Sequence, residues 1–61
     1  MKDLTETLRK LRADAEDCDL VSQLATDRVK RETFAKLASQ LRLAADDVER
    51  AIAERRTAGQ T

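Results

Sequence analysis

Apolar and small residues recur at intervals of three and four positions along this sequence, and one interruption divides them into two series. The first series is Leu4, Leu8, Leu11, Ala15, Cys18, Ser22 and Ala25. The second series is Phe34, Leu37, Ala38, Leu41, Ala44, Ala45, Val48, Ala51 and Ile52. An α-helix gathers residues at these intervals on one face, whereas a half-buried β-strand requires alternation of apolar and polar residues. The spacing therefore predicts two amphipathic helices and no sheet.

The interruption falls at residues 25–28, where Ala-Thr-Asp-Arg breaks the spacing. It predicts helix 1 from about residue 4 to residue 25 and helix 2 from about residue 28 to residue 56, with a frayed tail over residues 57–61. A connection this short returns the second helix antiparallel to the first. We therefore expect an all-α fold, consisting of a single two-helix antiparallel hairpin.

Capping residues stand before both predicted helices. Asp3, followed three residues later by Glu6, has the form of an N-terminal capping box with Asp in place of Ser or Thr. Thr26 and Asp27 are both good N-cap types for the second helix. The sequence has no Pro, and its one Gly is Gly59, so neither predicted helix contains a helix-breaking residue.

A hairpin of 61 residues has a single seam between its helices, and many residues of that seam are alanines. Small domains bury little apolar surface, so such a hairpin is marginally stable alone. We therefore expect two copies to dimerise into a four-helix bundle, in which each helix gains a second neighbour. The predicted core and dimer interface comprises Leu4, Leu8, Leu11, Cys18, Phe34, Leu37, Leu41, Ala45, Val48 and Ile52. Phe34, the only aromatic residue, is expected to lie buried between the helices near Cys18 and Ser22.

Composition argues against an enzyme. The sequence has no His, a single Cys at Cys18 and a single Gly at Gly59. It therefore lacks the commonest general base at neutral pH, the ligands of an ordinary zinc site and a Gly-rich phosphate loop. We expect no catalytic residue, no metal site and no cofactor.

Cys18 has two interpretations. It could be a redox-sensing thiol or form an intersubunit disulfide, or it could be a small hydrophobic residue packed in the seam of helix 1. Asp14, Asp17 and Asp19 surround it in the sequence, which is unlike the electropositive surroundings of reactive cysteines. The packing interpretation is therefore favoured.

The balance of charge argues against nucleic acid as a partner. Twelve Lys and Arg face twelve Asp and Glu, so the net charge is zero and there is no basic excess to displace counterions from phosphates. The basic clusters are Arg9-Lys10-Arg12, Arg28-Lys30-Arg31 and Arg55-Arg56, each with acids nearby. No apolar run approaches the ~18 residues that span a bilayer, and the charged N-terminal segment is unlike a secretory signal. We expect a cytoplasmic protein with no membrane partner.

A smaller apolar group lies on the face of helix 1 opposite the main stripe. It contains Ala13, Leu20 and Leu24, which the helical period places together, and Val29 is expected to join them at the turn. A single exposed leucine is ordinary, whereas a cluster indicates a contact surface. We predict that these four residues form a surface for a protein partner.

Three segments of the sequence carry a family resemblance. They are Ala15-Glu16-Asp17-Cys18 in helix 1, Ala25-Thr26-Asp27 at the turn, and Arg31 to Ala38 in helix 2, which reads Arg-x-x-Phe-x-x-Leu-Ala. Together they resemble a group of short helical-hairpin proteins known mainly from alphaproteobacterial genomes. Arg28 stands where that group commonly has a turn proline. The resemblance implies the hairpin fold and a bacterial cytoplasmic setting, and it implies no activity.

Three functions remain open at this point. The first is a non-enzymatic interaction or scaffold module that acts through self-association of the hairpin. The second is a small regulator that docks one helix face onto a larger protein. The third, which the charge balance disfavours, is a factor associated with nucleic acid.

Overall fold

Two α-helices packed side by side make up the computed structural model, which describes residues 3–59. Helix α1 spans Leu4–Leu24 and helix α2 spans Arg28–Gly59. Arg12 pairs with Glu49 and Asp19 pairs with Arg42, so the helices run antiparallel. The predicted all-α hairpin is confirmed.

Helix α1 begins and ends at residues whose backbone is extended. Asp3 has φ −70° and ψ 145°, and its Oδ1 accepts a hydrogen bond from the Thr5 N–H at 3.4 Å. At the other end, Ala25 has φ −70° and ψ 133°, and its N–H donates to the Val21 carbonyl at 2.9 Å. Asp3 is therefore the N-cap, and α1 ends one residue before the predicted boundary.

Helix α2 begins at a cap that Asp27 provides. The Asp27 carboxylate accepts from the Lys30 N–H at 3.0 Å, and its carbonyl accepts from the Arg31 N–H at 3.0 Å. Thr26 contributes its carbonyl oxygen, which accepts from the Arg31 guanidinium at 3.4 Å. Of the two residues suited to the cap, Asp27 is therefore the one that caps α2.

Helix α2 continues to Gly59, three residues beyond the boundary predicted near Arg56 and into the segment predicted to be a frayed tail. The Thr57 hydroxyl donates to the Ala53 carbonyl at 3.0 Å, a bond that lies along the last turns of the helix. The sequence has no proline that would end the helix, and Arg55 and Arg56 interact favourably with the negative end of the helix dipole. The other two residues of that tail, 60 and 61, lie outside the described part of the chain.

Small side chains fill the seam between the helices. The buried residues recur every seven positions on each helix: Leu8, Ala15 and Ser22 on α1, and Ala38 and Ala45 on α2. Ala15 and Ala38 are each 1% exposed and Ala45 is 3% exposed. Small residues let two helices approach closely, since the interaxial distance depends on the side chains at the contact. The seam is therefore close but thin.

One prediction of burial is wrong in the hairpin alone, because Phe34 is half-buried rather than enclosed between the helices. Leu37, which was predicted for the core or the dimer interface, is 39% exposed in the single hairpin. Each helix has one neighbour only, so a residue beside the seam is covered on one side and open on the other. The larger apolar residues lie beside the seam and are therefore only partly covered.

The cap gives a first prediction. We expect Asp27→Ala to lower the free energy of unfolding by about 1 kcal/mol, because the Lys30 N–H loses its acceptor. Thr26→Ala is the control, since alanine retains the carbonyl oxygen that Thr26 uses. Equal losses in urea unfolding of the two variants would contradict the assignment of Asp27 as the cap.

The seam gives a second prediction. We expect Ala38→Leu to lower the free energy of unfolding by about 1–3 kcal/mol, because the side chain must enter a seam that is already filled. Ala35→Leu is the matched control on the same helix, where the residue is exposed and the change should stay within about 0.5 kcal/mol. Urea unfolding measures both, and a seam that tolerates leucine at Ala38 would argue against close packing.

Candidate interaction surface

The hairpin has two unlike long sides, and pairs of consecutive residues show how they arise. These pairs are Leu11-Arg12, Cys18-Asp19, Leu41-Arg42 and Val48-Glu49. One step along an α-helix turns the side chain by roughly 100°, so the two members of each pair lie on either side of the seam. The apolar members share one side of the hairpin and the charged members share the other.

The charged side carries two ion pairs that cross between the helices. Arg12 Nη2 lies 2.8 Å from Glu49 Oε2, and Arg42 Nη2 lies 3.4 Å from Asp19 Oδ2. All four side chains are about half exposed to solvent. We call this side the ion-paired face. Sequence analysis missed both pairs, although their position one residue after a stripe residue was the available signal.

The other side is the apolar face. We define it by Leu4, Leu11, Cys18, Val21, Phe34, Leu37, Leu41, Ala44, Val48 and Ala51. All of these residues are half-buried except Leu37, which is exposed. The α2 residues follow intervals of three and four without a polar interruption, which is the spacing of a helix seam. Helix α2 therefore has a second seam, beside the one that it shares with α1.

Two shallow grooves meet at Leu37. One, of about 410 Å³, opens between the helices on the apolar face and is lined by Asp14, Asp17, Cys18, Leu37, Gln40 and Leu41. The other, of about 650 Å³, is lined by α2 residues only, on the outer side of that helix: it shares Leu37 and Gln40 and is otherwise lined by Val29, Glu32, Thr33 and Lys36. Leu37 thus lies at the edge of the apolar face.

The structure separates the predicted core and interface residues into two groups. Leu8 and Ala45 lie in the seam, and Ile52 lies beside Leu8 in a groove that Thr5 and Arg56 also line. The other predicted residues lie on the apolar face: Leu4, Leu11, Cys18, Phe34, Leu37, Leu41 and Val48. Val21 belongs to the same face although it was not predicted, and its spacing from Cys18 was the available signal.

The residues of the predicted partner surface are all exposed. Ala13 is exposed on α1, together with Leu20 and Leu24, which are 54% and 72% exposed. Val29 is 70% exposed at the start of α2 and lines a groove made of α2 residues only. A contact surface that joins Val29 to the leucines of α1 stays a prediction.

Residues 3–59 contain no further arrangement that indicates chemistry. Cys18 is a free thiol and half-buried. Within these residues, no group of three or more His, Cys, Asp or Glu side chains could hold a metal ion. Over the same range, neither helix has the apolar length that crossing a bilayer requires.

Comparison of the chain with family models, with curated proteins and with solved structures finds no match.

The ion-paired face gives a third prediction. We expect a double-mutant cycle of Arg12→Gln and Glu49→Gln to give a coupling energy of about 0.2–1 kcal/mol, because both side chains are half exposed. The coupling should shrink in ~1 M salt, where the Debye length is about 3 Å. A cycle of Arg9→Gln with Glu49→Gln is the control and should show no coupling. A salt-independent coupling would contradict this description of the face.

Proposed function

We propose that this protein is a non-enzymatic interaction or scaffold module that binds a second copy of itself through the apolar face. The observation that supports the proposal is the second seam of α2. Phe34, Leu37, Leu41, Ala44, Val48 and Ala51 continue it for ~26 Å at ~1.5 Å per residue. No charged residue interrupts it, and in the single hairpin it has no facing helix. A second hairpin supplies one.

The extent of the apolar face suits a dimer. It runs ~26 Å along both helices, from Leu4 to Val21 on α1 and from Phe34 to Ala51 on α2, so a second copy can cover it along its whole length. A second copy on this face turns four half-covered helices into a four-helix bundle with a central core. The ion-paired face then points outward on both copies, where its charges remain solvated.

The alternative is a small regulator that docks onto a larger protein. The exposed side chains of Leu20 and Leu24 support it, because they lie away from the apolar face and stay uncovered in the proposed dimer. The two functions are compatible if the dimer presents these leucines to a partner. Nucleic acid is disfavoured, since Arg12, Arg28 and Arg42 each pair with an acid of this chain.

The setting that we propose is the bacterial cytoplasm. The resemblance of the turn and of residues 31–38 to alphaproteobacterial hairpin proteins supports it. A chain with a single Cys forms no intrachain disulfide, which is compatible with a reducing compartment.

Self-association gives a fourth prediction. We expect the melting temperature to rise with protein concentration over a hundredfold range, because association stabilises the folded state by mass action. Sedimentation equilibrium should give twice the 6.9 kDa mass of one chain. A midpoint that is independent of concentration, together with a mass of one chain, would contradict the dimer and favour the regulator.

Two leucines of α2 provide the matched variants for that test. We expect Leu37→Glu to weaken the dimer by about tenfold or more, because it places a charge on the apolar face. Leu43→Glu introduces the same side chain at a leucine that is 64% exposed on the outer side of α2. Leu43→Glu should leave the sedimentation profile unchanged. Equal effects of the two variants would locate the contact elsewhere.

A further inference from the structure

We draw no further inference here: the strongest candidate, the groove of about 410 Å³ that opens between the helices beside Cys18 and is also lined by Asp14 and Asp17, belongs to the apolar face, and nothing in the structure shows what covers it.

Discussion

The close approach of two helices through small residues is the contact on which the rest of this hairpin depends. Ala15, Ser22, Ala38 and Ala45 occupy positions that point directly at the opposite helix. Among the described residues, Leu8 is the one larger side chain that is buried with them. Small side chains bring the backbones together but bury little apolar area. The larger apolar residues must then lie beside the seam rather than inside it. The close seam and the partly uncovered apolar residues beside it therefore come from the same packing.

The placement of residues beside the seam gives the hairpin its two faces. A residue that precedes the seam position by four or follows it by three falls on one side, and its immediate successor falls on the other. Apolar residues occupy the first kind of position, as at Leu11 and Leu41, and charged residues occupy the second, as at Arg12 and Arg42. A helix with a single apolar stripe ordinarily packs against one neighbouring helix. The apolar stripe of α2 is wide enough to pack against two.

The fold was predictable because local signals agreed: spacing, capping residues and the absence of helix breakers indicated two helices with a turn between them. Which residues of the apolar stripe are buried in the seam, and which lie beside it, was less predictable. Phe34 and Leu37 belong to the same sequence stripe as Ala38, and only the distance between the helices decides which of them is buried.

The ion-paired face has a consequence for alignment of the two helices. A seam built from residues every seven positions would accept a slip of one helix by seven residues, since small residues would again meet small ones. One such slip would bring Arg12 opposite Arg42, and the opposite slip would bring Arg12 opposite Arg56 and Asp19 opposite Glu49. The charges contribute little energy in the native alignment, but they make both shifted alignments repulsive. The two ion pairs are therefore compatible with a single alignment of the helices.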